Sequence, residues 1–157
     1  MSVVVGTPDG PVSDMLVRSG DRVEVARTVT EADVVLFAGI SGDLYEAHLN
    51  AQVMARTSFG RPLAHGALLV GHMSAAGTAL IGLVRGRGDR TMPVALGYDR
   101  LRFVAPVHPG DTVTTRYEVT DVDPERRRSE ARIEAINQHG VTVAAAIHHM
   151  KWLETQS

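Results

Sequence analysis

The sequence predicts an α+β fold, one antiparallel sheet with a single long helix packed on it. Three observations carry that prediction. A strand-like alternation begins at Arg22. The apolar stretch from His65 to Val84, free of Asp, Glu, Lys and Arg, is of helix length rather than strand length. From Pro93 onward the pattern turns into four consecutive strands separated by turn sequences. At 157 residues the chain fits one domain of common size. No repeat, low-complexity block or composition shift divides it, so residues 1–157 read as a single domain. Residues 1–20, rich in Gly, Pro, Asp and Ser, read as a loose N-terminal arm.

The elements follow in order. Between Arg22 and Val29, Val23, Val25 and Arg27 alternate with Glu24 and Ala26, which marks a first strand. Thr30, with Asp33 three residues later, has the form of a capping box opening a helix over about Glu31 to Ala38, with Gly39 as its stop. Ser41-Gly42-Asp43 suits a turn, a short helix is expected over Ala51 to Arg56, and Phe59 to Pro62 forms a second turn. Asp43 and His48 are thereby expected on a loop between two short helices. The His65–Val84 helix, apolar nearly all round, is expected to be buried nearly all round. Its small residues Gly71, Ala75, Ala76, Gly77 and Gly82 would allow close backbone approach. Arg85 to Arg90 should close it as an exposed loop. Strands are then expected over 94–104, 112–122, 129–137 and 141–153, the last two joined as a hairpin through Gln138-His139-Gly140.

Composition excludes several functions. Net charge is -2, which argues against duplex DNA or an acidic membrane surface as main partner. There is no cysteine, so disulfides, thiolate metal sites and cysteine nucleophiles are absent. No signal peptide or spanning segment is expected, and a cytoplasmic protein is inferred. The glycines of Gly86-Arg87-Gly88 precede a loop, which rules out a dinucleotide-binding reading. His148 and His149, adjacent on a strand, point to opposite faces. His65 and His72 read as packed or hydrogen-bonded histidines, and no metal is expected.

Asp43 and His48 are the candidate chemistry. A carboxylate and an imidazole close together can hold one water and move its protons. The segment leads into the first turn of the long helix at His65-Gly66, where free backbone N–H groups can hold an oxyanion. Gly66 lets a carbonyl come close.

Phe37, Ser41, Gly42, Asp43, His48, Phe59, Gly60, Leu63, Ala64, His65 and Gly66 together resemble the fingerprint of the MaoC-like family of hot-dog-fold proteins, which includes R-specific enoyl-CoA hydratases. The resemblance covers about residues 22–153. It implies a single hot-dog domain, a curved antiparallel sheet wrapped around the long helix. It implies Asp43 and His48 as the catalytic pair around one water, and reversible hydration of a 2-enoyl thioester to a 3-hydroxyacyl thioester. Gly66, with His65 beside it, would bind the thioester oxygen, and Ser74 would stand near the pair. Tyr45, Glu46 and Ala47 replace the family's Asn, Pro and aliphatic residue, and Tyr45 is expected to reshape the substrate pocket. No cofactor is implied, because the coenzyme A thioester is itself the substrate. The acyl group is carried by CoA or by acyl carrier protein, and a homodimer or dimer of dimers is expected. Arg85, Arg87, Arg90, Arg100 and Arg102 are candidates for the carrier's phosphates. Two alternatives stay open: a thioesterase of the same fold, and a non-catalytic acyl-CoA-binding subunit of a heteromer.

Overall fold

The computed structural model describes residues 15–155, so most of the expected arm lies outside the described residues. The elements run β1 (Arg22–Thr28), α1 (Glu31–Ser41), α2 (Glu46–Leu49), α3 (Ala51–Met54), α4 (Gly66–Arg85), β2 (Met92–Phe103), β3 (Thr112–Asp123), β4 (Arg128–Asn137) and β5 (Thr142–Leu153). All five strands join in one antiparallel sheet of order β1-β3-β4-β5-β2. The expected β4–β5 hairpin is present, turning through Gly140 at a φ of 77°.

Alternation decides which strand residues meet the helix. Val113, Thr115, Tyr117 and Val119 of β3, Ala131, Ile133 and Ala135 of β4, and Met150 and Trp152 of β5 are buried. α4 supplies Leu69, Met73, Ala76, Leu80 and Val84 to the same core. Each large aliphatic side chain buried there contributes about 1.5–3 kcal/mol. Gly77 marks the closest approach of helix to sheet. A Cβ there would stand 3.0 Å from Met150 Cε and 3.6 Å from His148 Cε1.

Burial of α4 is one-sided, contrary to expectation. Ala67, Gly71, Ser74, Ala75, Thr78 and Gly82 form an exposed stripe. The sheet curves around one side only, and the other side is apolar by being small rather than by being packed. α1 also runs past its expected stop. Gly39 is an ordinary exposed helical residue, and Gly42 ends the helix at a φ of 77°, its N–H returning to Ala38 O. The Thr30–Asp33 capping box forms as expected. The Thr30 backbone N–H, then the Thr30 hydroxyl, hold the Asp33 carboxyl below its usual range, and Arg27 adds a 2.8 Å ion pair.

Two expectations about loose segments are corrected. Met15 and Val17 are 1% and 0% exposed, so the last part of the arm belongs to the core. Arg87 lies in no free loop either. Its guanidinium grips buried Asp21 with two 2.6 Å hydrogen bonds and donates to Leu16 O at 2.8 Å. Those bonds to Asp21 raise the Arg87 pKa above its ordinary value. This clamp fastens residues 16–21 to the far end of α4.

β5 turns His149 outward to Asp99 at 3.0 Å and His148 inward, as adjacent strand residues must. His148 shares a 2.9 Å hydrogen bond with the Tyr117 hydroxyl and stacks on Tyr98 at 4.4 Å. Burial pushes the His148 imidazole down to about 4 from 6.5 and pushes the Tyr117 phenol up. The unfolded chain therefore binds a proton between those two pH values that the folded chain refuses, and stability is lost as pH falls through that window. Denaturant unfolding should show a loss on the order of 1–2 kcal/mol between about pH 6.5 and about pH 4.5 that His148→Phe removes. An unchanged slope in the variant would contradict the assignment.

Candidate active site

Gly42 breaks α1 and turns the chain toward Asp43. The Ser41 hydroxyl donates to Phe37 O at 2.6 Å and accepts the Asp43 N–H at 3.2 Å. Oδ1 of Asp43 accepts the Tyr45 N–H at 3.4 Å, an Asx-type turn that leaves Oδ2 to face His48. His48 does not sit on a loop. It belongs to α2, a single turn with Tyr45 as N-cap and Glu46 in its first position. A negative side chain is favoured there, and helical φ is reached without the family's proline. Tyr45 is 66% exposed and meets His48 edge-on at 6.2 Å.

Ring orientation at His48 is fixed from behind. Nδ1 lies 2.8 Å from Leu63 O. A carbonyl only accepts, so Nδ1 carries the hydrogen and Nε2 of the neutral ring keeps its lone pair. Leu63 is itself held by its N–H to Ala47 O at 2.9 Å. Nε2 faces Asp43 Oδ2 at 3.9 Å, too long for a direct hydrogen bond and short enough for one water to bridge.

His65 completes the cluster from below. It is 1% exposed and precedes α4 as its N-cap residue. Its Nε2–H donates to the backbone oxygen of Asp43 at 3.0 Å. Its ring stacks on His48 at 3.7 Å with a 26° tilt, and Phe37 packs against it at 4.9 Å. His65 thus positions both the Asp43 backbone and the His48 ring. Asp43, His48 and His65 each bring one potential ligand atom within 4.8 Å of the others. Two stacked imidazoles direct their in-plane lone pairs along nearly parallel planes, however, which suits convergence on one ion poorly.

Gly66 is the first residue of the 20-residue α4, and its N–H has no protein acceptor among the described residues. It stands at the positive end of the helix. A groove of about 400 Å³ runs from His48 and Gly66 past Phe59, Leu63 and Leu69 to Phe103 and Val107. A second hollow of about 420 Å³ on the other side of His48 is lined by Val34, Leu49, Pro62 and Arg61 among others.

The remaining sequence candidates lie elsewhere. Ser74 is on the exposed stripe of α4, eight residues beyond Gly66 and roughly 12 Å along the axis. Arg85, Arg87 and Arg90 are at the opposite end of the helix, roughly 30 Å from Gly66, and Arg87 is committed to Asp21. Arg100 and Arg102 are exposed on β2, at a bulge where Arg100 has a φ of 51°. Arg61, which sequence reasoning passed over because it sits in a turn, shares the lining of the second hollow with His48 and pairs with Asp111 at 3.6 Å. His72 packs between α4 and β1, where burial lowers its pKa, and takes no part in the cluster. Phe103 was also missed. In sequence it is one more strand aromatic, and only the fold brings it onto Gly66.

A long helix packed on one antiparallel sheet, with Asp43 and His48 close to the helix N-terminus, defines a protein of the hot-dog fold. The MaoC like domain family matches residues 17–147, and the chain belongs to that family. The (R)-specific enoyl-CoA hydratase of Rhodospirillum rubrum is 38% identical over 113 residues, covering 71% of this chain and 72% of that protein. The 3-hydroxybutyryl-CoA dehydratase of Methylorubrum extorquens is 40% identical over 105 residues, 66% of this chain and 60% of that protein. The solved structure of the (R)-hydratase from A. caviae involved in PHA biosynthesis superposes with a TM-score of 0.74 at 28% identity, covering 88% of this chain and 98% of that one.

The hydrogen-bond pattern makes a spectroscopic prediction. Nitrogen-15 shifts of the neutral rings should show His48 protonated on Nδ1 and His65 on Nε2. A His48 ring protonated on Nε2 would contradict the geometry.

Proposed function

We propose that this protein catalyses reversible hydration of a 2-enoyl-CoA to the 3-hydroxyacyl-CoA. The observation that carries the reading is the 3.9 Å gap between Asp43 Oδ2 and His48 Nε2, with Nδ1 tied back to Leu63. Both atoms that face the gap are acceptors. A water placed there gives one hydrogen to each and turns its oxygen lone pairs outward. With the thioester oxygen on Gly66 N–H, C3 of the enoyl group meets that oxygen.

The water oxygen forms a bond to C3 as one of its protons passes to the pair. The C2=C3 π electrons move toward the carbonyl, and negative charge gathers on the thioester oxygen at the N-terminus of α4. A proton then returns from the pair to C2 on the face the water came from. One water is added, the pair ends as it began, and the reverse sequence is dehydration. One backbone donor aimed at such an oxyanion supports a rate factor of about 10²–10³. The relatives' activities support this chemistry, and the Asp43–His48 geometry supports it despite the Tyr45-Glu46-Ala47 departures, which fall on exposed or half-buried positions at the N-cap and first turn of α2.

Homodimerisation is part of the proposal. The β2 edge exposes Met92, Val94 and Leu96, and the outer face of α1 exposes Val35, Leu36 and Ile40. Apolar surface of that kind beside an unpaired strand edge is what a second copy covers. CoA is the carrier in this reading because the relatives' named activities are on CoA thioesters, and a cytoplasmic setting is proposed with it.

Asp43→Asn and His48→Ala should fold normally and lose hydration by about 10²–10⁴-fold, followed as loss of the conjugated thioester absorbance. Near wild-type turnover in both variants would refute the assignment. Release of free CoA in place of hydration would transfer the site to thioester hydrolysis.

A further inference from the structure

His48 takes its direction from the carbonyl of Leu63, so whatever fixes that carbonyl also fixes the pair. Two consecutive peptide units are involved. The Pro62–Leu63 unit is held at both ends. Its oxygen accepts Nδ1–H of His108 at 2.8 Å, and its N–H donates to Ala47 O at 2.9 Å. In the Leu63–Ala64 unit the N–H donates to Val107 O at 2.7 Å, and the oxygen holds His48. Neighbouring residues of one loop, Val107 and His108, thus each grip one of the two units.

Ala47 and His48 both belong to α2, so their bonds join α2 to residues 62–64 without fixing either to the body of the molecule. Pro62 fixes its own φ but not the ψ that turns its carbonyl. Arg61 adds little, since its side chain is 57% exposed and reaches Asp111 only at 3.6 Å. His108, in contrast, is firmly seated. Its N–H donates to Asp111 Oδ2 at 2.8 Å, and its carbonyl accepts the Asp111 N–H at 3.0 Å. Asp111 is 7% exposed and also accepts Nε2–H of Gln138, in the β4–β5 turn, at 2.9 Å. Gly110 donates to Val29 O at 2.7 Å and Asp111 O accepts the Val29 N–H at 2.8 Å, which pins the same turn to the end of β1.

On the hydratase reading, we infer that His108 is a positioning residue for the reaction: its Nδ1–H sets the plane of the Pro62–Leu63 peptide and, through the next carbonyl, the angle at which His48 Nε2 faces Asp43. It touches neither the water nor the substrate. Without that donor the peptide is held only by α2, the element it has to locate, and the His48 ring loses its fixed bearing. Misplacement of a reacting group by about 1 Å costs as much as about 10²-fold in rate.

The test compares wild type with His108→Phe, which keeps a planar ring and removes the donor, and His108→Asn, whose amide Nδ2–H stands nearly where the imidazole Nδ1–H was. With a straight 2-enoyl-CoA, His108→Phe should lower kcat by about 10- to 100-fold and leave KM little changed. Nitrogen-15 shifts of the same variant should show His48 no longer confined to the Nδ1–H tautomer. His108→Asn should recover most of kcat and the single tautomer. Equal losses in both variants overturn the inference, as do a wild-type kcat and an unchanged His48 tautomer in His108→Phe. Thermal melts accompany the assays. If His108→Phe and His108→Ala both unfold while His108→Asn folds, the bond is a folding contact and the positioning role is overturned. No hydration by wild type overturns the hydratase reading alone, because the tautomer comparison tests the hold of His108 on His48 without turnover.

Discussion

The site depends on one hydrogen bond, from His48 Nδ1–H to the carbonyl of Leu63. It selects the tautomer, aims the remaining nitrogen at Asp43, and ties a one-turn helix to the segment that enters α4. Without it, α2 has little to hold it, since it has four residues and no side-chain cap. Leu63 N–H to Ala47 O closes the link from the other direction. His65 then stacks beneath His48 and fastens the Asp43 backbone, so both members of the pair are positioned from one side. The gap between them is a consequence of these supports rather than of direct attraction.

Stability and chemistry are divided between two parts of the chain. The five strands and the inner face of α4 hold the apolar core, the Asp21–Arg87 clamp and the Tyr117–His148 pair. The segment between α1 and α4 contributes little to that core, with Met54 its buried apolar side chain before Ala64. Its polar groups are satisfied by turns and caps, which leaves Asp43 and the groove open to a ligand. α4 joins the two parts. Its body is core, and its first residue presents the free N–H.

Much of this was legible in sequence. Alternation marked β1 and β3, turn sequences separated the later strands, the Thr30–Asp33 spacing marked the first helix, and the Asp43, His48 and Gly66 pattern named the candidate site. What escaped depends on contacts that local pattern does not carry. The stop of α1 falls at Gly42 rather than Gly39 because the left-handed turn is where the chain must bend toward Asp43. α2 was invisible because four residues are too few to show a period. The one-sided burial of α4 was hidden by small residues that score as apolar on both faces. Arg87 looked like a free surface cation because its partner, Asp21, is 66 positions away. Phe103 meets Gly66 only because β2 lies at the sheet edge beside the start of α4.

The central claim is that one water, held by one pair on one face of the substrate, supplies both the oxygen at C3 and the proton at C2. Hydration of a straight 2-enoyl-CoA in deuterium oxide tests it most directly, with the relative configuration at C2 and C3 of the product read by proton NMR. The account predicts syn addition, with deuterium and hydroxyl delivered to the same face. Anti addition would require a proton donor on the opposite face and would contradict the mechanism.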